Sequence, residues 1–254
     1  MTIGVDQARD VVRWANRRNS RVGSIRSTTA SPVVLTFDDG PDPEQTPRVL
    51  QVLRDHDATA TFFVLLTRVD AYPGLLDEVL AAGHEVALHG PDHRALTDFS
   101  YQEARARTTA ARERLEDRTG REVQWFRPPY GSQSFATLLA TERAGLTSVL
   151  WSGTTWDWKD VSPDERRAKA AEGGRPGAIL LAHDGLAGPA DGADDGPPVA
   201  CDRPALMGEV LDEYAARGLV GRSLGEALAA GRPVRTMRFS RRAKGPGASG
   251  DMVA

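Results

Sequence analysis

SPVVLTFDDGPD, residues 31–42 of this chain, ends an apolar run with two adjacent acids and follows them with glycine and proline. Residues 31–37 have the pattern of a buried strand, and Gly40-Pro41 ends it. Asp38 and Asp39 therefore lie where a strand opens into a loop, which is the edge of an α/β sheet where functional sites are built. The alternative is a turn in which each aspartate bonds its own backbone, and this stretch alone does not decide between the two.

The rest of the chain alternates apolar runs with helical patterns. Further strands are predicted at residues 58–65, 84–88, 123–126, 147–152, 177–184 and 219–222. Helices are predicted at residues 46–56, 73–82, 135–144 and 204–217, and after capping boxes at Ser100, Ser162 and Ser223. About seven strand–helix alternations predict an α/β fold with a parallel, barrel-like sheet.

The domain organisation follows from the length and from the two ends. A chain of 254 residues fits one large domain, and no internal linker divides it. We expect an N-terminal helical extension over residues 1–30, a catalytic domain over residues 31–232, and a C-terminal tail over residues 233–254 that is disordered at its end.

Composition excludes several classes of protein. A formal net charge of -3 gives no reason to expect nucleic acid or an anionic membrane as partner. Cys201 is the single cysteine, which excludes an internal disulfide framework and a thiolate-rich zinc site. The first 30 residues contain no apolar signal region, and no run is long enough for a membrane span, so the chain is expected in the cytoplasm. A secreted protein whose leader had been removed would look the same.

The polar residues that stand out share one position in the predicted fold. Each lies at or just beyond the carboxyl end of a predicted strand, and in a parallel barrel those ends converge on one face. The sequence therefore predicts one site containing Asp38, Asp39, His89, His93, Arg127, Tyr130, Asp157 and His183.

Two histidines and a carboxylate suggest a metal centre. His89 and His93 are four residues apart and can bind one ion if the segment between them makes a helical turn. Asp39 would complete a set of two imidazoles and one carboxylate, with positions left open for water and substrate. Zn²⁺ is the first expectation, and Fe²⁺, Co²⁺ or Mn²⁺ are chemically admissible. The alternative is a pair of solvated loop histidines.

The remaining residues suit proton transfer. Asp38 is the candidate base, and Arg127 would hold it ionised and fix its direction. His183 is the candidate acid for a leaving amine, and Asp157 would orient it and raise its pKa. The alternatives are a surface salt bridge for Arg127 and a core or edge position for His183.

At these residues the chain resembles the polysaccharide deacetylase family, carbohydrate esterase family 4, whose members share a NodB homology domain. The resemblance covers residues 33–228 and rests on five ordered motifs: TFDDGPD (36–42), HGPDH (89–93), RPPY (127–130), TTWDW (154–158) and LLAH (180–183). Two positions depart from the family pattern. Gly90 stands where a serine or threonine is usual, so its bracing hydroxyl is missing, and Thr154 replaces an aspartate.

The resemblance implies a distorted (β/α)7-8 barrel and metal-dependent removal of an acetyl group from a sugar. It implies that Asp38 is the base, that His183 is the acid, and that Arg127 and Asp157 orient them. The metal ligands would be Asp39, His89 and His93. The backbone N–H of Tyr130 would stabilise the oxyanion, and Trp158 and Leu181 would line the acetyl pocket.

The expected activity is hydrolysis of a linear amide. The substrate would be an N-acetylated amino sugar, such as a chitooligosaccharide, a peptidoglycan-type polymer or a small sugar intermediate, and no protein partner is evident. The same site would also serve an O-acetyl ester of the xylan type or a non-sugar amide. A non-catalytic carbohydrate-binding relative is less favoured, because no ligand or proton carrier of the motifs is missing.

Overall fold

The computed structural model describes residues 23–193, 195–197 and 199–240. Its strands are β1 (Ser24–Thr28), β2 (Val33–Asp38), β3 (Thr61–Leu65), β4 (Glu85–Gly90), β5 (Trp125–Phe126), β6 (Thr147–Ser148), β7 (Gly153–Thr154), β8 (Ile179–His183), β9 (Gly221–Arg222) and β10 (Pro233–Thr236). Its α-helices are α1 (Thr46–Asp55), α2 (Leu66–Ala71), α3 (Pro73–Ala81), α4 (Tyr101–Thr119), α5 (Phe135–Arg143), α6 (Pro163–Gly173), α7 (Arg203–Ala216) and α8 (Leu224–Ala230). Among these helices, none combines the length and the apolar character needed to cross a membrane.

Strands β2 to β9 form one parallel sheet. Its order is β6-β5-β4-β3-β2-β8-β7, and β9 pairs with the start of β2. The end strands β6 and β7 are not paired with each other in this order, so the sheet curls without closing into a complete barrel. The predicted α/β fold with a distorted parallel barrel is confirmed.

A separate two-stranded sheet corrects the predicted ends of the domain. Residues 24–28, predicted within a helical extension, form β1, and residues 233–236, predicted as tail, form β10. The two strands pair antiparallel, with Ser24 opposite Thr236. Local patterns could not reveal either strand, because each is short and its partner lies at the other end of the chain. The remaining parts of the predicted extension and tail, residues 1–22 and 241–254, lie outside the described residues.

The alternation of β2 decides which side chains reach the site. Val33, Leu35 and Phe37 pack in the larger core cluster, between the sheet and its helices. Val34 packs in the second cluster with residues such as Phe63 and Ile179. Because side chains alternate along a strand, Thr36 and Asp38 lie on the same face as Val34. The first acid of the pair therefore continues an interior row of side chains.

The helix signals were accurate with two exceptions. The capping boxes at Ser100, Ser162 and Ser223 are all present. Thr46 and Pro47 have the pattern of an N-cap followed by the first helical residue, but in the structure α1 begins at Thr46, its N-cap is Gln45, and the Thr46 hydroxyl bonds outside the helix. Helix α2 was not predicted, because it follows β3 without a break, is six residues long and has no side-chain cap.

Candidate active site

The residues predicted to form one site meet at the carboxyl edge of the parallel sheet. Asp38 is the last residue of β2, and Asp39 follows it directly. His89 lies within β4, Arg127 follows β5 and His183 ends β8. The structure therefore places these residues at the ends of neighbouring strands on one edge of the sheet.

Asp39, His89 and His93 form a compact buried cluster that could hold a metal. One ligand atom from each residue lies within 4.8 Å of the others. Nε2 of His89 and Nε2 of His93 each lie 3.3 Å from Oδ1 of Asp39. That carboxylate oxygen is buried and has no hydrogen-bond partner, which is costly unless a cation neutralises it. A carboxylate with two imidazoles is a donor set that suits a divalent transition metal.

The protonation states of the cluster also suit a metal. Burial would raise the pKa of Asp39, but the neighbouring imidazoles of His93 and His89 hold it well below its ordinary value. Burial lowers the pKa of His93. Nδ1 of His89 lies 2.8 Å from the carbonyl oxygen of Arg127, so the proton of a neutral ring belongs on Nδ1 and Nε2 remains free to bind. An ionised carboxylate and neutral imidazoles are the forms that coordinate metals.

The backbone brings the two histidines together without the predicted helical turn. Gly90 has φ +153, and a Cβ there would meet the carbonyl oxygen of Asp92 at 2.7 Å. The segment that follows consists of bends, so the two histidines meet without the helical turn that their spacing allows. This conformation also gives a physical reason for glycine at position 90. Asp39 has φ 73, which takes its carboxylate away from the regular alternation of β2.

Asp38 is paired with a fully buried arginine. Nη1 of Arg127 donates to Oδ1 of Asp38 at 2.6 Å, and the Arg127 side chain has 0% exposure. The same nitrogen donates to Oγ1 of Thr36 at 2.9 Å, and the guanidinium carbon lies 4.2 Å from the centre of the Phe63 ring. A casual surface salt bridge is thus excluded, and the direction of the Asp38 carboxylate is fixed.

His183 is held through two hydrogen bonds to Asp157. Its Nδ1 lies 2.8 Å from Oδ1 of Asp157, and its backbone N–H donates to Oδ2 at 2.8 Å. Burial would lower the pKa of His183, but the Asp157 carboxylate raises it to about 9. Nη2 of Arg203 donates to the carbonyl oxygen of Asp157 at 3.2 Å, and this bond anchors the Asp157–His183 pair to the start of α7. His183 is therefore protonated near neutral pH.

The three residues predicted to contact substrate lie around these groups. Tyr130 is 40% exposed, and its ring meets the His93 ring edge-on with centres 4.3 Å apart. The Trp158 and His183 rings are likewise edge-on, with centres 5.1 Å apart. Leu181 is buried two residues before His183 on β8, so both side chains share one face of the strand. Their roles toward substrate stay predictions.

Some residues at the site gave no signal in the sequence. Thr36 contacts the Asp38–Arg127 pair and belongs to an ordinary strand. Arg203 contacts the Asp157–His183 pair and belongs to an ordinary helix start. Asp184 is buried against Gly40, where any Cβ would clash with the Asp184 carboxylate. Oγ1 of Thr46 donates to Oδ2 of Asp184 at 2.6 Å. Burial raises the pKa of Asp184 to about 7.

A curled parallel sheet with a carboxylate–imidazole cluster and the Asp38–Arg127 and Asp157–His183 pairs at its strand ends is an arrangement that suits metal-assisted hydrolysis. A sequence profile described as Polysaccharide deacetylase matches residues 25–149. Chitooligosaccharide deacetylase of Azorhizobium caulinodans is 36% identical over 156 residues, which cover 61% of this chain and 74% of that enzyme. The chain belongs to the polysaccharide deacetylase family.

Other relatives agree with this assignment. Peptidoglycan-N-acetylglucosamine deacetylase PgdA of Listeria monocytogenes is 38% identical over 159 residues, covering 63% of this chain and 34% of PgdA. A family 4 carbohydrate esterase from Streptomyces lividans, solved with acetate, has 26% identity and a TM-score of 0.67, covering 81% of this chain and 97% of that one. A CE4 family pseudoenzyme from Bacillus anthracis has the same fold, with a TM-score of 0.68, 24% identity, and coverage of 78% of this chain and 66% of that one.

Proposed function

We propose that this protein is a metal-dependent deacetylase that hydrolyses the N-acetyl group of an amino sugar. The observation that carries the proposal is the meeting of three elements at one edge: the Asp38–Arg127 pair, the Asp157–His183 pair and the buried ligand cluster. A nucleophile activated by a base, a leaving group that needs an acid, and a Lewis acid are the requirements of amide hydrolysis.

Asp39, His89 and His93 would hold the metal, for which Zn²⁺ is the proposed ion. A divalent ion in such a site polarises a carbonyl group and lowers the pKa of water to roughly 7. Two imidazoles and one carboxylate also admit Fe²⁺, Co²⁺ or Mn²⁺, so metal content is part of the test.

The chain's own residues would carry the protons. Asp38, whose carboxylate is directed by Arg127, takes a proton from the attacking water, whose oxygen forms a bond to the acetyl carbon. The C–N bond then breaks, and protonated His183 gives its proton to the leaving nitrogen. The products are a free amine and acetic acid, which loses its proton to solvent as acetate. Asp38 returns its proton to solvent, and His183 is protonated again before the next turnover.

The other predicted residues would position the acetyl group. The backbone N–H of Tyr130 stabilises the oxyanion by a preorganised hydrogen bond. Trp158 and Leu181, which flank His183 in space and along β8, bound the pocket for the methyl group. Asp157 keeps His183 oriented and charged.

The proposed substrate class is supported by the relatives named above. The Azorhizobium enzyme is named for chitooligosaccharides and the Listeria enzyme for peptidoglycan N-acetylglucosamine, and both names specify an N-acetylated amino sugar. An O-acetylated xylan or a non-sugar amide would use the same proton carriers, and the pseudoenzyme relative has the same fold. These alternatives are outcomes of the test. Action in the cytoplasm and without a protein partner stays a prediction from the sequence.

Acetate release tests the proposal. The full chain, loaded with Zn²⁺, is assayed in parallel on N-acetylated chitooligosaccharides, peptidoglycan, O-acetylated xylan and a small N-acetyl sugar. We expect release from the N-acetylated sugars, a fall of about 10²–10⁴-fold in Asp38→Asn with metal still bound, and loss of both metal and activity in His89→Ala. His56→Ala is the matched control, because His56 lies at the end of α1, where its Nε2 bonds Asp212. Unchanged turnover in Asp38→Asn would rule out the proposed mechanism, and binding without release would favour the non-catalytic alternative.

A further inference from the structure

Arg68, on helix α2, contacts the loop that follows His183, which is defined here as the 184–193 loop. We propose that Arg68 is a positioning residue for the metal centre, because it fixes the two backbone groups of this loop that contact metal ligands. The inference rests on the proposed metal site and adds to it a residue of the outer shell.

Arg68 binds the 184–193 loop at two points. Its Nη2 donates to the carbonyl oxygen of Leu186 at 2.7 Å. Its Nε lies 3.1 and 3.0 Å from the two carboxylate oxygens of Asp191, and its Nη2 lies 2.8 Å from Oδ2. The Asp191 side chain is 3% exposed and the Arg68 side chain 18%, so this ion pair is largely shielded from water. The guanidinium of Arg68 therefore joins Leu186, near the start of the loop, to Asp191, near its end.

Both points lead directly to metal ligands. The carbonyl of Leu186 belongs to the same peptide unit as the N–H of Ala187, and that N–H donates to Oδ2 of Asp39 at 3.2 Å. The backbone carbonyl of Asp191 accepts a hydrogen bond of 2.7 Å from the N–H of His93. Arg68 thus reaches Asp39 through one peptide and His93 through another.

This arrangement aims the ligand atoms. With Oδ2 of Asp39 held by Ala187, Oδ1 remains directed at the two imidazoles. The segment from His89 to His93 is supported by the neighbouring loop, by α2 and, through Asp92, by Arg107 of α4. The backbone N–H of Thr67 on α2 also donates to the carbonyl of Pro91 at 3.2 Å. Outer-shell contacts of this kind orient metal ligands, and their loss costs about 10–100-fold in metal affinity.

Zn²⁺ affinity of the full chain measures the proposed role independently of turnover. Arg68→Gln removes the charge and the fork that joins Leu186 to Asp191. Arg114→Gln is the matched control. Arg114 pairs with Asp70, which lies on α2 as Arg68 does, but this pair lies in solvent, with both side chains more than half exposed. We expect chelator competition to show about 10–100-fold weaker Zn²⁺ binding in Arg68→Gln and a change within about twofold in Arg114→Gln. Zn²⁺ binding by Arg68→Gln within twofold of the parent would overturn the inference.

A second variant covers the case in which Arg68→Gln does not fold without metal. Arg68→Lys keeps the positive charge but replaces the guanidinium fork that joins Leu186 to Asp191 with a single nitrogen. Zn²⁺ binding weakened by about threefold or more in folded Arg68→Lys supports the inference, and unchanged binding overturns it. His89→Ala separates this result from the proposed function. If Zn²⁺ binds the parent and His89→Ala equally, the proposed metal site fails, whatever Arg68 does.

Discussion

Asp38 and His183 are register partners on the adjacent parallel strands β2 and β8. The backbone N–H of Asp184 donates to the carbonyl of Asp38 at 3.3 Å, so the two strand ends are tied together where the proposed base and acid emerge. Asp38 has Arg127 as its charged partner, and His183 has Asp157. Each partner comes from a different strand end. The direction of each side chain is thus held by a separate neighbour.

Removing Arg127 should destabilise the fold as well as stop turnover. Arg127→Met leaves the buried Asp38 carboxylate without its cation, and breaking a buried pair in this way costs about 3–5 kcal/mol. Urea unfolding of the metal-free protein measures the loss. Arg114→Gln, which breaks an exposed pair, should cost no more than about 1 kcal/mol. A loss below 1 kcal/mol in Arg127→Met would show that the Asp38–Arg127 pair does not support the fold.

The pH dependence of catalysis should shift when Asp157 loses its charge. Asp157 raises the pKa of His183 to about 9, and an acid catalyst stops working as pH rises through its pKa. Asp157→Asn should therefore move the basic limb of kcat/KM to lower pH by about one to three units. Asp160→Asn, at an exposed acid in the same segment, should leave the limb in place. An identical basic limb in Asp157→Asn would mean that His183 is not the titrating acid.

Metal removal should lower thermal stability through linkage. A ligand that binds only the folded state at about 1,000 times its Kd stabilises that state by about 4 kcal/mol. Addition of Zn²⁺ to the chelated protein should raise Tm accordingly, while His93→Ala should show no such rise because the cluster loses a ligand. His56→Ala should respond as the parent does. A full Tm response in His93→Ala would place the bound ion elsewhere.

Asp184 should make the metal-free protein less stable as pH rises. Burial raises its pKa to about 7, so the folded state binds a proton that the unfolded chain has already released. The contribution of Asp184 to the free energy of unfolding is fully present below its ordinary pKa of 3.8 and is lost as pH rises through about 7. Its size is about 1.4 kcal/mol for each unit by which the two pKa values differ. Asp184→Asn, which keeps an acceptor for Thr46, should gain stability relative to the parent between pH 4 and 8. If urea unfolding gives the same difference in stability between Asp184→Asn and the parent at pH 4 and at pH 8, the raised pKa of Asp184 is contradicted.

The sequence located the site well because parallel strands bring their carboxyl ends together whatever their lengths. The strand predicted at residues 177–184 is five residues long in the structure, yet His183 still ends it. The acid pair after Phe37 was likewise placed by the strand that precedes it. Periodicity and turn signals are local. They were sufficient wherever the position of a residue along one strand determined whether it lies at the site.

The outer contacts could not be predicted, because they join segments that carry no common pattern. Arg68 and Asp191 are separated by 123 positions, and the acidic, glycine-rich stretch around Asp191 indicates only a loop. The path of the backbone from His89 to His93 could not be predicted for a related reason. Spacing allowed a helical turn, whereas the conformation of Gly90 and the contacts of the neighbouring loop determine the bend.

The pairing of β1 with β10 has a consequence for how the chain folds during synthesis. Arg235 donates to the carbonyl of Gly23 at 2.6 Å across 212 positions, so this sheet is among the most non-local contacts of the described chain. During synthesis β1 is made long before β10, so its antiparallel edge has no partner until residues 233–236 have been translated. That unpaired edge is an aggregation hazard for as long as the interval lasts, and a chaperone that shields residues 24–28 would act on it.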